Sequence, residues 1–197
     1  MSNTTPRPPG ILNPSRRTIS SPLLGSTMTY THYSSETSGA YTQFTSTITP
    51  GYANPPHHHT LFRETFTCTS GTLSITLDNG HPRTLRPGET AVVDIGHIHS
   101  LANTSATEPA EFVTKLEPGS EGFEKGMYIV HGLAEDGHSG PDGVPRDLVT
   151  VAVVAGMMDT WLSGWGFWLA GPALWVARRV GQGQGVERKL VERYWES

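Results

Sequence analysis

Residues 51–71 read GYANPPHHHTLFRETFTCTSG and contain the clearest strand pattern of this 197-residue chain. Side chains of two kinds alternate there: one face collects Phe62, Glu64, Phe66 and Cys68, and the other collects arginine and threonines. A period of two residues is the pattern of a strand that is buried on one side. The Ser-Gly pair that ends the stretch predicts a turn.

The same alternation returns downstream, between signals for tight turns. Residues 73–77 alternate up to Asp78-Asn79-Gly80, and Asn-Gly is the strongest short-range hairpin signal. Further strands are predicted over 90–95 and 112–116, with turn residues before each. Turn signals about every 8–12 residues predict a mainly β fold, built as an antiparallel sandwich or barrel.

The chain divides into three parts by composition. Residues 1–26 contain several prolines and no apolar period, which predicts a flexible or draped N-terminal tail. Residues 27–118 carry the strand patterns and are expected to form a β-barrel. Residues 119–197 begin with a connector rich in glycine, histidine and acidic residues, and continue into a Trp-rich segment that is expected to be helical.

Composition argues against several classes of protein. The formal net charge of −4 at pH 7 argues against a nucleic-acid-binding protein, because such proteins normally carry an excess of basic residues. The single cysteine, Cys68, rules out an internal disulfide framework and any metal site with several cysteines, and we expect it to be a small buried residue. No apolar signal segment is visible, so a cytoplasmic location is the expectation.

Histidine is the informative residue type, since five of the nine histidines fall in two short clusters. The first cluster is His57, His58 and His59, and the second contains His97 and His99. On an extended strand His57 and His59 point to the same side and can bind one ion, whereas His58 faces the opposite side. A barrel would bring His99, which follows a turn on a returning strand, opposite the first cluster.

The two clusters lie in segments that resemble the two motifs of the cupin superfamily. The first motif reads G-x5-H-x-H-x3,4-E-x6-G, and its counterparts here are Gly51, His57, His59, Glu64 and Gly71. The second motif reads G-x5-P-x-G-x2-H-x3-N, and its counterparts are Gly88, Gly96, His99 and Asn103. Asp94 stands where the family usually has proline, in a position that shapes a turn and binds no metal.

This resemblance implies both a fold and a metal site. The fold would be the cupin antiparallel β-barrel, a double-stranded β-helix or jelly roll, followed here by C-terminal helices. The family's metal ligands carry over to His57, His59, Glu64 and His99, which implies one divalent transition metal per chain. Three imidazoles and one carboxylate do not distinguish among Fe, Mn, Zn, Ni and Cu. They would leave about two positions open on a six-coordinate metal.

Two residues are predicted to be catalytic, Glu64 and His97. Glu64 differs in strand parity from the two histidines of its motif, so a turn or bulge between Thr60 and Phe62 must re-aim its side chain. In families of this kind the glutamate is a ligand, a base beside the metal, or neither. His97 shares the parity of the third histidine but lies in the turn, so we expect it beside the site or at its rim, where it could move protons.

The apolar segment over 148–177 contains one charged residue, Asp159, and four of the five tryptophans. Proline and glycine signals predict two helices, over 146–163 and 172–180, with Pro172 at the first helical position of the second. Three interpretations stay open: helices that cover the pocket or pack in a dimer, a helix at a membrane surface, and a membrane-spanning helix. The first is favoured, because glycines and a proline interrupt the stretch.

The resemblance predicts a metal-dependent enzyme that acts on a small aromatic or polyketide-like molecule. A single small cupin with a Ser/Thr-rich head and an apolar tail resembles the cupin-domain oxidoreductases of fungal natural-product pathways. An oxidoreductase similar to a dioxygenase is therefore the first hypothesis. The alternatives are a non-redox isomerase, cyclase or decarboxylase on the same site, and a ligand-binding cupin without turnover. The expected partners are a small-molecule substrate and a second copy of the chain, because exposed strand edges and an apolar tail favour pairing.

Overall fold

A computed structural model describes residues 7–78, 80–140, 143–163 and 165–197, with side chains throughout except over 165–170. The strands described are β1 (Thr18–Ser21), β2 (Ser26–His32), β3 (Thr42–Ile48), β4 (His57–His58), β5 (Arg63–Ser70), β6 (Leu73–Leu77), β7 (Arg83–Leu85), β8 (Thr90–Val93), β9 (His99–Ala102), β10 (Ala110–Glu117) and β11 (Trp161–Leu162). The α-helices are α1 (Pro9–Leu12), α2 (Glu121–Glu135), α3 (Leu148–Met157), α4 (Trp165–Gly183) and α5 (Val186–Tyr194). Single 3-10 turns lie at Pro14–Arg17 and Ser34–Thr37.

The strands form two antiparallel sheets. The six-stranded sheet has the order β1-β2-β3-β10-β5-β8, and the five-stranded sheet has the order β11-β4-β9-β6-β7. The described strand pairs are all antiparallel, which confirms the predicted β fold. β6 and β7 pair as the predicted hairpin requires, although Asn79 of its turn lies outside the described residues.

Inward-facing side chains of both sheets form the core of the barrel. Along β5 the buried positions alternate with more exposed ones, as the period of two predicts, and Cys68 is a free, fully buried residue. The buried apolar cluster in this half of the barrel contains Ile48, Phe66, Cys68, Leu73, Ile75, Leu85, Ala91, Val93, Leu101, Ala110 and Phe112. The alternating pattern of β5 therefore places its apolar face, and the carboxylate of Glu64 with it, inside the barrel.

Two of the motif glycines occupy turns that other residues would strain. Gly71 has a φ of +67°, and a Cβ atom there would lie 2.3 Å from the carbonyl oxygen of Pro109. Gly96 has a φ of +83° in the turn before β9. That turn forms with Asp94 in place of proline, since the N–H of His97 donates to the Asp94 carbonyl oxygen at 3.2 Å. The departure from the motif therefore leaves the turn intact.

The N-terminal segment, predicted as a flexible or draped tail, lies against the barrel over much of its described length. β1 adds an edge strand to the six-stranded sheet and places Thr18 opposite Thr29. Hydroxyl contacts of 2.9 Å between these two threonines and 2.8 Å between Ser20 and Thr27 join the strands. The sequence pattern did not indicate this strand, because most of its side chains are small and polar. Residues 1–6 lie outside the described residues.

The expected connector over 119–145 contains the 15-residue helix α2. Ser120 caps this helix, because its hydroxyl accepts a hydrogen bond from the N–H of Phe123 at 3.2 Å. Glycines line the face of α2 that neighbouring elements approach; a Cβ atom on Gly126 would lie 2.0 Å from Cγ of Met158. The glycines that suggested a connector are therefore the close-packing face of a helix.

The C-terminal helices differ from the prediction. α3 ends at Met157, the chain then turns at Asp159, whose φ is +51°, and Trp161 lies in β11, which pairs with β4. Pro172 lies inside α4 and not at its first position. Trp161 and Leu162, which the sequence pattern assigned to the first helix, therefore pair in a strand instead. The side chains of Trp165 and Trp168 lie outside the described residues. Among the helices described, none has the length and apolar character needed to cross a membrane.

A buried carboxylate joins α2 to the rest of the fold. Glu124 is fully buried, and its Oε1 accepts hydrogen bonds from the backbone N–H of Ser34 and from the hydroxyl of Thr42, both at 2.6 Å. Its Oε2 has no hydrogen-bond partner among the described residues. Burial raises the pKa of Glu124 from its ordinary value of 4.5 to about 7. The folded protein therefore holds a proton here that the unfolded chain releases at lower pH.

The raised pKa of Glu124 predicts that the stability of the fold depends on pH. The contribution of Glu124 is fully present below pH 4.5 and is lost as pH rises through about 7, by up to about 3 kcal/mol in the free energy of unfolding. Glu124→Gln keeps an acceptor for Ser34 and Thr42 but cannot ionise, so we expect it to be the more stable protein at pH 8 and to lose this advantage at pH 5. Urea unfolding of both proteins measures the difference. A difference that is equal at the two pH values would contradict the assignment.

Candidate metal centre

Four buried side chains converge between the two sheets: His57, His59, Glu64 and His99. The five-stranded sheet supplies His57 on β4 and His99 on β9, which lie directly opposite each other, and His59 directly follows β4. The six-stranded sheet supplies Glu64, on β5. One nitrogen or oxygen atom from each of the four lies within 4.8 Å of the others. The structure thus brings together the four residues that the cupin resemblance implied as ligands.

Backbone carbonyl groups orient all three imidazoles. The contacts are His57 Nδ1 to the Pro55 oxygen at 2.8 Å, His59 Nδ1 to the Asp159 oxygen at 2.8 Å, and His99 Nδ1 to the His97 oxygen at 3.3 Å. A carbonyl oxygen can only accept, so each Nδ1 carries a proton, and in the neutral ring each Nε2 presents a lone pair. Metal-binding histidines are commonly held in this way, with the second ring nitrogen donating to a carbonyl or carboxylate group.

Three of the atoms that face the centre lack hydrogen bonds. Oε2 of Glu64 lies 3.3 Å from Nε2 of His59 and 2.8 Å from Nε2 of His99. Neither contact has hydrogen-bond geometry, and none of these three atoms has another partner among the described residues. A buried polar atom without a partner costs about 1–3 kcal/mol. Three imidazole nitrogens and a carboxylate oxygen around one centre are a donor set that fits a divalent transition metal.

The charges of the cluster suit a cation. Burial, and then repulsion by His99, lowers the pKa of His57 to about 4, so this ring is neutral at pH 7. Burial by itself would raise the pKa of Glu64, but the contacts with His59 and His99 hold it well below its usual range. Burial would likewise lower the pKa of His59, and the carboxylate of Glu64 more than offsets this and raises it. The site therefore contains an ionised carboxylate that attracts positive charge.

A residue outside both motifs supports this site. Asp159 is 5% exposed. Its Oδ2 accepts from the N–H of Thr60 at 2.6 Å and of Leu61 at 2.7 Å, and its Oδ1 accepts from the Thr60 hydroxyl at 2.7 Å and the Trp161 indole N–H at 2.8 Å. Its carbonyl oxygen is the one that accepts from His59. Burial would raise the pKa of Asp159, but these donors lower it overall.

The contacts of Asp159 explain how the glutamate reaches the histidines. The chain bends at Thr60 and Leu61, between β4 and β5, where the parity of the side chains must change. Asp159 binds the backbone N–H groups of both bend residues and therefore fixes the direction in which β5 begins. Asp159 is the only charged residue between 148 and 177, but the sequence alone does not indicate its role, because its partners lie about a hundred residues earlier in the chain.

His97 and His58 lie outside the cluster. The side chain of His97 is exposed, and its Nδ1 lies 3.0 Å from Oδ2 of Asp78, whose carboxylate raises the pKa of His97. The ring of His58 faces the other side of β4, as parity predicts, with Nδ1 3.3 Å from the hydroxyl of Ser163. A catalytic role for His97 stays a prediction: its backbone oxygen contacts His99, whereas its exposed side chain lies against Asp78.

A cavity of about 610 Å³ adjoins the cluster, and its wall includes His57, Glu64 and His99. Its volume lies within the range of sites for drug-sized molecules. Helix α2 and residues 158–162 supply one wall of this cavity, through side chains that include Phe123, Met127, Val130, Met158 and Leu162. The sequence suggested a cover made of tryptophans, but none of the tryptophan side chains that the structure describes lines the cavity.

Residues 44–115 match the family model of the cupin domain. The chain contains a cupin domain. The matched range includes both motifs completely, from Gly51 to Asn103, and all four clustered side chains lie within it. Helix α2, which lines the cavity, and Asp159, which supports the site, lie outside the match. The match confirms the predicted resemblance to cupins for this part of the chain, and the two antiparallel sheets confirm the predicted β fold.

Several solved structures resemble the cupin domain. KdgF from Halomonas sp. is 15% identical, with a TM-score of 0.43, over 49% of this chain and 82% of its own. Oxalate oxidase in complex with glycolate is 28% identical, with a TM-score of 0.42, over 51% of this chain and 55% of its own. The polyketide cyclase RemF from Streptomyces resistomycificus is 17% identical, with a TM-score of 0.43, over 47% of this chain and 61% of its own. Among curated proteins, none matches this sequence.

Proposed function

We propose that this cupin is a metal-dependent oxidoreductase that acts on a small, largely apolar molecule bearing an enolate or phenolate oxygen. One observation carries the proposal. Buried imidazole and carboxylate atoms without hydrogen-bond partners converge on one point in the wall of a cavity large enough for such a molecule. A buried cluster of this kind beside an apolar cavity is the arrangement expected of a catalytic site.

The chain's own residues have separable roles in this proposal. His57, His59, Glu64 and His99 would hold one divalent transition metal, which supplies a Lewis acid and, if redox-active, chemistry with O2. Because the four ligands together carry a single negative charge, the loaded site would stay positive and attract an anionic oxygen of the substrate. The apolar wall, with aromatic side chains such as Phe66, would bind the carbon skeleton and exclude water.

Oxygen uptake tests the proposal. Protein loaded in turn with Fe(II), Mn(II), Cu(II), Ni(II) and Zn(II) is mixed with phenols, catechols and enolisable 1,3-diketones, and dissolved O2 is followed with an electrode. We expect uptake with at least one redox-active metal, at a rate that falls to the background in His59→Ala and is kept in His58→Ala. Product formation without O2 uptake would contradict the redox proposal and indicate the isomerase, cyclase or decarboxylase alternative.

A further inference from the structure

A diagonal line of hydroxyl side chains crosses the inner face of the six-stranded sheet. It starts beside Glu64 on β5 and passes through Thr114 on β10, Ser46 on β3 and Ser26 on β2. The register shows the diagonal: Glu64 lies opposite Leu116, Ser46 opposite Phe112, and Ser26 opposite Ile48. Each member is therefore one strand across and two residues along from the previous one, on the same face of the sheet.

These hydroxyl groups lie in a cavity wall that is otherwise mainly apolar. Thr114, Ser46 and Ser26 all line the cavity that contains the metal-binding cluster. Their neighbours on the same sheet face are the apolar residues Met28, Phe44, Ile48, Phe66 and Phe112, which also line it. Oγ1 of Thr114, in a residue only 1% exposed, has no hydrogen-bond partner among the described residues. A buried hydroxyl without a partner destabilises the fold, so its presence points to a ligand that satisfies it.

The line ends at a histidine on α2. His131 is 2% exposed and lines the same cavity. Its Nδ1 lies 2.9 Å from the carbonyl oxygen of Met127, so Nδ1 carries the proton and Nε2 is an acceptor. Nε2 lies 3.3 Å from the hydroxyl of Ser26, at the long end of the range for a hydrogen bond. Burial lowers the pKa of His131 to about 4, so the ring is neutral at pH 7.

We propose that the cavity selects an elongated, largely apolar molecule with a second hydroxyl group, remote from the one at the metal-binding cluster, which Ser26 and His131 bind. A multi-ring phenol has this chemistry: rings for the apolar wall, one oxygen for the cluster, and one hydroxyl that donates to Nε2 of His131. Thr114 and Ser46 offer partners to oxygen atoms between the two ends. The inference rests on the proposed function only for the end at the cluster.

The test compares two rigid probes that differ by one hydroxyl group. Isothermal titration of the full-length, metal-loaded protein measures the dissociation constants of 4,4′-dihydroxybiphenyl and 4-hydroxybiphenyl. We expect the dihydroxy compound to bind about 5- to 10-fold more tightly, the effect of one net hydrogen bond. Ser26→Ala combined with His131→Leu is expected to reduce this preference, measured as the ratio of the two dissociation constants within the same variant, to less than about twofold.

Two controls separate the proposal from a general effect on the fold. Thr45→Val removes an exposed hydroxyl from the outer face of β3 and is expected to keep the full preference. Ser26→Ala alone tests the same end of the cavity if the double variant does not fold. Equal affinity of the wild-type protein for the two probes would overturn the proposal, as would loss of bound metal in a folded Ser26→Ala protein.

The probe-binding experiment and the oxygen-uptake experiment can succeed or fail independently of each other. A protein that binds metal and consumes O2 but shows no preference between the probes would refute the hydroxyl site and leave the oxidoreductase proposal standing. A protein that binds no transition metal, yet prefers the dihydroxy probe through Ser26 and His131, would refute the oxidoreductase proposal and support the hydroxyl site.

Discussion

Replacing His59 by alanine is expected to weaken the binding of a divalent transition metal by more than about 100-fold, beyond what the loss of an outer-shell partner typically costs. The variant removes one of the three Nε2 atoms that converge on the centre and leaves Glu64 with one imidazole contact, to His99. Titration with Co(II) against a competing chelator gives the affinity, and the visible bands of bound Co(II) report its coordination. We expect a cooperative thermal transition to remain, since the apolar core of the barrel does not depend on this side chain.

His58→Ala is the matched control, because it removes the adjacent residue of the same histidine run. Its ring faces the other side of β4 and contacts Ser163. The affinity and the Co(II) spectrum of this variant should match those of the wild-type protein. Equal losses in His58→Ala and His59→Ala would show that the run binds metal as a flexible surface cluster, and would contradict the buried site.

Replacing Asp159 by alanine is expected to weaken metal binding by about 10- to 100-fold, although its side chain is not a ligand. The carboxylate accepts the two backbone N–H groups of the bend between His59 and Glu64. Without it these donors lose their acceptor, and the direction in which β5 begins is no longer fixed. A shift in the Co(II) bands at saturating metal would distinguish this positioning role from a general loss of stability.

Two further variants make the role of Asp159 falsifiable. Asp147→Ala removes the N-terminal cap of α3, where the carboxylate accepts from Thr150, and should cost about 1 kcal/mol of stability without changing metal affinity. Asparagine also tolerates a positive φ, but its side-chain NH2 group cannot accept hydrogen bonds. The metal affinity of Asp159→Asn should therefore fall nearly as far as that of Asp159→Ala. Wild-type affinity and spectra in both Asp159 variants would refute the positioning role.

The strands and the four clustered residues follow from local features of the sequence. The alternation along β5 identifies its buried face directly, because a strand with one buried side repeats every two residues. The spacing of His57, His59, Glu64 and His99 matches the cupin motifs, and the structure places these four side chains together. The change of parity before Glu64 also indicated that the chain must bend near Thr60, where the structure has the bend.

The features that the sequence did not reveal depend on contacts between distant segments. Helix α2 was missed because its glycines, read locally, indicate a loop, whereas in the fold they allow Met158 and other side chains to approach closely. The pairing of β11 with β4 overrode a helical pattern around Trp161. The support from Asp159 and the hydroxyl site at His131 were missed for the same reason: their partners lie far away in the chain.

The central claim is that His57, His59, Glu64 and His99 bind one transition metal. The most direct test is the anomalous scattering of crystals grown from protein loaded with Co(II) or Mn(II), with data collected on both sides of the metal's absorption edge. The claim predicts one strong anomalous peak per chain, within bonding distance of the three Nε2 atoms and of Oε2 of Glu64. An ordered cluster with no peak at its centre, or a peak only at exposed histidines such as His97, would contradict it.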